Sequence, residues 1–289
     1  MNIIVLGGNG YLGSKAIRAL LEEKQHVVTC TIRPTSSLSR LSSYMEEVVF
    51  IPASLDAVES ATRYVSFDAV INMSCSYGKK STLYNNVIEA NIDFPLHVLN
   101  CVTEKGCKRF LTIGTGLPDD MNMYSFSKKM FSEFGKYYAV HHHIDFLNLK
   151  LQMFYGPDEP DDRFIPNIIR KMLLGRDVRV TLGTRRRDVI AVQDVVEAIL
   201  AVFHSKLHGY QEIPVGTGTA PTISELVDYI WQKTGMQSQV YKGAIPMRDN
   251  EPDCVAELEK LNEIMDWKPV QWQEGIANMI EEIQRNNSI

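Results

Sequence analysis

The sequence predicts an α/β protein with a doubly wound parallel sheet, covered by helices on both faces and followed by a smaller C-terminal lid. Three observations carry this expectation. Short β-rich runs alternate with helical patterns over the first two-thirds of the 289 residues. A glycine-rich turn joins the first such run to the first helix. After Gly156-Pro157 the alternation stops, and glycine and proline punctuate shorter elements.

Residues 3–6 are four consecutive apolar residues and read as a buried strand. Residues 11–23 read as a helix, with apolar positions at Ala16, Ile17, Leu20 and Leu21. Strands follow at 26–32, 48–52 and 69–73. Residues 88–101 are helical, 110–113 form a strand, 124–140 a long helix and 146–151 a further strand. Strands spaced by helices imply right-handed βαβ units and a parallel sheet. Residues 158–162 are acidic and proline-bearing, so they form a loop. A helix at 164–174 ends at Gly175, residues 188–192 are strand-like, and 195–203 form an apolar helix. Beyond these, Gly209, Gly216, Gly218, Pro221, Gly235 and Pro246 mark short elements. Thr222-Ile-Ser-Glu225 fits a capping box that opens a helix to about Lys233. The expected organisation is a dinucleotide-binding domain over 1–157, to which 186–205 return, and a mainly substrate-binding region over 158–289.

An apolar content of 45% suits a globular chain with a sizeable core. The net charge of -5 and pI near 5.8 exclude a nucleic-acid binder that works by bulk electrostatics. No apolar run approaches the roughly 20 residues of a membrane-spanning helix. Met1 leads directly into the first strand with no basic region or cleavage site, so a cytoplasmic location is expected. The five cysteines are odd in number and lack CxxC spacing, which points to neither a disulfide framework nor a zinc site. His141, His142 and His143 are adjacent and cannot converge on one ion; they suit the end of the long helix, and no metal is expected.

The turn itself is Gly7-Gly8-Asn9-Gly10-Tyr11-Leu12-Gly13. Of the glycines at 7, 10 and 13, one permits the tight turn, one lets the backbone approach a pyrophosphate, and one lets helix and strand pack closely. The helix N-terminus then offers N–H groups and positive dipole to phosphate. Asn9, Tyr11, Leu12 and Met73 join these glycines as expected cofactor-binding residues. The second strand ends in Thr31-Ile32-Arg33-Pro34, followed by Ser36, with no acidic residue to hold a ribose 2′-hydroxyl. A guanidinium and hydroxyls suit a 2′-phosphate, so NADPH is favoured over NADH.

Tyr124-Ser-Phe-Ser-Lys128 places a phenol and an ammonium at i and i+4, on one helix face. The lysine can lower the phenol pKa and bond the nicotinamide ribose, and the tyrosine can exchange a proton with a carbonyl oxygen. The GxxGxxG loop followed by YxxxK resembles the extended short-chain dehydrogenase/reductase (NAD-dependent epimerase/dehydratase) family, whose fold is Rossmann-like. That resemblance implies a Ser or Thr after the strand preceding the tyrosine, here Thr115, with Thr112 the alternative inside the strand. It implies a structural role for Asn91 and an adenine contact among Ser54, Leu55 and Asp56, where the family often has Asp.

Arg185-Arg186-Arg187-Asp188 leads into Val189-Ile190-Ala-Val-Gln-Asp194 and is similar to an element whose arginine contacts a substrate diphosphate. Arg187 takes that part by resemblance, and Arg248 falls where a second such arginine lies. Tyr77-Gly78-Lys79, Phe134-Gly-Lys-Tyr-Tyr138-Ala, Val215-Gly-Thr-Gly218, Gly243-Ala-Ile-Pro-Met-Arg-Asp-Asn-Glu251 and Met265-Asp-Trp-Lys-Pro269 resemble sugar-nucleotide 4-ketoreductases of the family. The CDP-abequose synthase and dTDP-4-dehydro-6-deoxyglucose reductase groups are among these. The resemblance implies hydride delivery from NADPH to a C4 ketone, with Tyr77, Thr115, Tyr124, Arg187 and Arg248 meeting a dTDP-, CDP- or GDP-linked substrate. It also implies a homodimer through the helices at 88–101 and 124–140. Two other functions compete: a C4-epimerase or dehydratase that recycles tightly held NAD, and a non-catalytic NADP sensor. Arg33 and the lack of an acidic pair beside Thr115 weigh against the first, and the tyrosine–lysine pair against the second.

Overall fold

The structure, a computed structural model, describes residues 1–78, 84–248 and 251–287. Lys79, Asp249 and Asn250, quoted in the motifs above, lie outside the described residues. The chain divides into two compact units: Met1–Lys150 with Ala198–Ile213, and Leu151–Glu197 with Pro214–Ile289.

In the first unit the elements are β1 (Asn2–Leu6), α1 (Tyr11–Glu22), β2 (Val27–Ile32), β3 (Val48–Pro52), α2 (Leu55–Tyr64) and β4 (Ala69–Asn72). Then come α3 (Tyr84–Ile88), a π turn (Glu89–Asp93), α4 (Phe94–Glu104), β5 (Arg109–Thr115), α5 (Met123–His142) and β6 (Asp145–Leu151). The second unit contains β7 (Met153–Tyr155), α6 (Phe164–Leu173), β8 (Val178–Val180) and β9 (Val189–Ala191). After these come α7 (Val192–His204) and β10 (Tyr210–Val215), of which Ala198–Ile213 belongs to the first unit. The second unit closes with α8 (Ile223–Lys233), β11 (Val240–Lys242), α9 (Glu259–Ile264) and α10 (Trp272–Asn287).

Seven strands form one sheet in the order β10-β6-β5-β4-β1-β2-β3. β1 pairs in parallel with both β2 and β4, so Leu6 lies beside Thr31 on one side and Asn72 on the other. The strand order reverses at β1, which sets a crevice at the carboxyl ends of β1 and β4, where open α/β sheets bind ligands. The expected doubly wound parallel sheet is therefore present. Ile3, Ile4, Val5 and Leu6 are fully buried, as a central strand covered on both faces requires. Phe110, Phe131 and Phe146 from β5, α5 and β6 pack with ring centroids 5.4 to 5.8 Å apart and anchor α5 on the sheet. Gly135 makes this possible, because a Cβ there would overlap the Phe146 ring.

The second unit has its own core of Tyr155, Ile169, Val189, Leu226, Ile230 and Ile276 and their neighbours. Two short parallel pairs, β7 with β9 and β8 with β11, support it. The Thr222–Glu225 capping box forms in both directions: Glu225 N donates to Thr222 Oγ1 at 3.1 Å and Thr222 N to Glu225 Oε2 at 2.7 Å.

Several elements differ from the sequence expectation, and α2 (Leu55–Tyr64) forms where none was assigned. The helix expected at 88–101 begins at Tyr84, passes through the π turn and runs to Glu104. Pro95 does not interrupt it because it sits in the first turn of α4, where a missing N–H is tolerated. α7 starts at Val192, directly after β9, without the expected gap. The C-terminal region, expected as short pieces, contains the 16-residue α10. Its Gly275 is a packing requirement, since a Cβ there would overlap the Tyr155 hydroxyl.

Candidate active site

The turn after β1 is built as the glycines require. Gly7 has φ +71, and a Cβ there would lie 2.9 Å from the Met73 carbonyl. Met73 is itself held against the turn by its N–H, which donates to Leu6 O at 2.9 Å. Gly10 N donates to Gly7 O at 3.1 Å, and Gly10 is the N-cap of α1 without any side-chain cap. A Cβ at Gly13 would overlap the Gly7 carbonyl and come within 2.7 Å of Gly8 Cα. Gly8, which the spacing did not single out, is equally constrained by Ile17 and Cys30. Leu12 is buried, and Tyr11 opens the helix. The uncapped first turn, reached over bare backbone, suits a pyrophosphate.

Asn9 Nδ2 donates to Ser37 O at 3.3 Å, tying this turn to the segment after β2. In that segment Ser36 N donates to Arg33 O at 2.9 Å, and Arg33 projects into solvent. Ser54 is the N-cap of α2, and its hydroxyl accepts from Ala57 N at 3.4 Å. Leu55 beside it is 47% exposed.

α5 begins where a capping box fixes it. Ser125 N donates to Asn122 Oδ1 at 3.0 Å, and Asn122 N donates to Ser125 Oγ at 3.2 Å. Tyr124 and Lys128 follow one turn apart on the same face. Lys128 is only 6% exposed, and its ammonium donates to Ser74 O at 3.0 Å. Burial pushes its pKa down from the lysine range, with the Cys75 sulfur pulling weakly the other way. The Tyr124 ring lies 4.9 Å from that of Tyr77. Thr115 ends β5 half-buried, its hydroxyl accepting from Leu117 N at 3.2 Å. Thr112 is buried in the strand, and its hydroxyl accepts from Asn72 Nδ2 at 3.0 Å.

The segment after β4 that meets this face is held by Asn91, for which the resemblance implied a structural role, together with Ser74, Ser76 and Ser127, which the sequence did not mark. Asn91 sits in the π turn, 1% exposed. Its Oδ1 accepts from Ser76 N at 2.8 Å, and its Nδ2 donates to Ser76 O and Ser127 Oγ, both at 2.9 Å. Ser127 Oγ in turn donates to Tyr124 O at 2.7 Å. Ser76 acts here through its main chain, and Ser74 offers its main-chain carbonyl to Lys128 while its hydroxyl donates to Asn72 Oδ1 at 2.6 Å and Ala90 O at 3.1 Å.

In the second unit the three-arginine run divides. Arg187 is 6% exposed; its Nη2 meets Glu251 Oε1 at 2.5 Å, and its Nη1 donates to Pro252 O at 2.6 Å and Arg186 O at 2.8 Å. Arg185 and Arg186 are exposed, as is Arg248. Asp188 is fully buried and accepts from Thr217 N, Thr217 Oγ1, Gly218 N and Ala256 N at 2.7 to 3.1 Å, which pins three segments together. Among the described residues no helix is long and apolar enough to cross a membrane.

Residues 3–216 match the sequence model of the NAD dependent epimerase/dehydratase family. The chain is 30% identical to a CDP-abequose synthase of Salmonella typhimurium (strain LT2), over 97% of this chain and 98% of that one. The fold superposes on UDP-glucose 4-epimerase of Thermotoga maritima, solved with UDP-glucose, with a TM-score of 0.87, 19% identity and coverage of 99% and 100%. It superposes on the UDP-glucose 4-epimerase of Thermus thermophilus, solved as a complex with NAD, at 0.84, 21% identity and coverage of 98% and 99%. Both likenesses are of fold. A match across 3–216, joined to a relative aligned almost end to end, places the chain in the NAD-dependent epimerase/dehydratase family.

Proposed function

We propose that this chain is an NADPH-dependent reductase of the C4 ketone of a nucleotide-linked 4-dehydro-6-deoxyhexose, dTDP- or CDP-linked, in deoxysugar and O-antigen synthesis. The observation that carries the redox chemistry is Lys128: a buried ammonium, bonded to a main-chain carbonyl, one turn from Tyr124. The 30% identity to a CDP-abequose synthase supports net reduction of a sugar nucleotide. The exposed Arg33 at the end of β2, with no acid beside it, supports NADPH.

Tyr124 donates its phenolic proton to the ketone oxygen and recovers one from solvent afterwards. Lys128 stabilises the phenolate in between and bonds the nicotinamide ribose. Thr115 donates a hydrogen bond to the same ketone oxygen. Gly7, Gly10 and Gly13, with Asn9, Tyr11, Leu12 and Met73, hold the pyrophosphate side of the cofactor; Ser54 and Leu55 serve the adenine, and Arg33 and Ser36 the 2′-phosphate. The nicotinamide supplies the hydride. Tyr77, Arg187 and Arg248 bind the sugar nucleotide, with residues 158–289 as its main binding region. Phe126, Phe134, Tyr137 and Val140 of α5 are 41 to 60% exposed, which supports a homodimer through this helix and α4.

A second function, C4-epimerisation with retained NAD, draws support from the fold of the NAD-bound epimerase. One experiment separates the two. The protein is mixed with NADPH and, separately, CDP- and dTDP-linked 4-keto-6-deoxyhexoses, and NADPH absorbance is followed. Stoichiometric oxidation with one of them is expected. No oxidation, with interconversion of a 4-hydroxy sugar nucleotide instead, overturns the reductase.

A further inference from the structure

Among the described residues, two side-chain clusters outside the active site bring three metal-ligating atoms within 4.8 Å of one another: Glu23 with His26 and His204, and Glu59 with His97 and Cys101. Their spacings separate them. In the first, Glu23 carboxylate oxygens lie 2.6 Å from His26 Nε2 and 2.9 Å from His204 Nε2, which are ordinary hydrogen bonds with no room for an ion between. In the second, His97 Nε2 lies 3.4 Å from Cys101 Sγ and 3.5 Å from Glu59 Oε1. The latter is too long for a good N–H···O bond.

These two separations match the edges of a coordination tetrahedron. Zinc bonds of about 2.3 Å to sulfur and about 2.0 to 2.1 Å to nitrogen or oxygen give ligand–ligand edges of roughly 3.3 to 3.6 Å. His97 and Cys101 are i and i+4 on α4, so the helix itself sets their spacing. Glu59 comes from the adjoining α2. The donor set is chemically coherent: one thiolate and one carboxylate neutralise a dication, and sulfur with imidazole selects against magnesium and calcium. Cys101 is 9% exposed, whereas the Glu59 side chain is 46% exposed, so one side of the cluster is dry and the other reaches solvent.

We infer that Glu59, His97 and Cys101 form a three-ligand site for a zinc-class divalent cation, clamping α2 to α4 with water in the fourth position. Binding replaces the thiol proton, which passes to solvent, and no electron is transferred. A single cysteine suffices here because the helix supplies its partner at His-x-x-x-Cys spacing, where a search for paired cysteines finds nothing.

Cobalt(II) reports on the site directly. The reduced, metal-free protein titrated with Co²⁺ is expected to give, at one equivalent, a near-ultraviolet thiolate charge-transfer band and the visible bands of a tetrahedral ion. Zn²⁺ should displace both. Cys101→Ser should remove the charge-transfer band, His97→Ala should weaken Co²⁺ binding at least tenfold, and Glu59→Gln should weaken it about threefold. Cys75→Ser should retain the band. Each variant's circular dichroism checks that it is folded. The inference is overturned if no thiolate band forms, if the band survives in Cys101→Ser or disappears in Cys75→Ser, or if binding is lost in His204→Ala instead.

Discussion

Lys128 and Arg187 are both buried cations at 6% exposure, and the protein treats them in opposite ways. Arg187 has a carboxylate at 2.5 Å and two main-chain carbonyls. Among the described residues Lys128 bonds one carbonyl, and burial lowers its pKa. A guanidinium with its counter-charge in place holds segments together, and a ligand anion must compete with Glu251 to use it. An ammonium with no carboxylate partner among the described residues keeps its field for whatever enters; under the proposed function that is the Tyr124 phenol and a ribose hydroxyl. The difference teaches where to look for chemistry: at the cation whose charge the fold has not cancelled.

Removing the group that this field acts on should have the largest effect. Tyr124→Phe is expected to lower kcat by about 10³-fold, within the range of general acid catalysis, while leaving NADPH affinity by fluorescence titration unchanged. Surviving activity would remove Tyr124 from the chemistry. Next comes the neutralised cation. Glu251→Gln strands a buried guanidinium and should cost about 3 kcal/mol in urea unfolding. Adding Arg187→Met should recover most of that loss, and failure to recover it would mean that Glu251 acts through something else. Arg33→Asp tests the exposed cation at the cofactor end; preference for NADPH over NADH, read as the ratio of kcat/KM, should fall at least tenfold, about 1.4 kcal/mol.

The smallest effect is on stability at Lys128. Its folded pKa lies below the ordinary 10.5, so the folded state binds this proton more weakly than the unfolded chain does. The resulting penalty is fully present below the folded pKa and fades as pH rises towards 10.5. Lys128→Met should therefore raise the urea midpoint at pH 7, with the gain shrinking in alkali, even as activity is lost. An unchanged or lowered midpoint would mean that the ammonium is not strained by burial.

Much of this was legible in the sequence. The strand–glycine–helix unit announces itself because backbone geometry there admits no other residue, as Gly7 and Gly13 show. The capping box at Thr222 was readable because its two bonds are local. The length of α10 was not, since Gly275 looks like a breaker until Tyr155 is seen against it. The partner of Arg187 was hidden for a related reason. Glu251 is 64 residues away in the chain, and only the fold brings the two together. Likewise the bonds of Asn91 to Ser76 and Ser127 join three separate segments, mostly through main-chain atoms.

The π turn at Glu89–Asp93 has a consequence for how the gene tolerates change in length. Each residue advances an α-helix by about 100°, so a π turn is one residue of surplus phase. Deleting a single codon in this stretch would remove that surplus phase and let regular helix form up to Pro95, whose missing N–H leaves one backbone bond unmade in either register. It would also swing Asn91 away from Ser76 and Ser127 while α4 kept its packing. Such a deletion should yield a folded, stable protein with a loosened active site. Insertions and deletions, usually the bluntest of lesions, would there be the finer instrument.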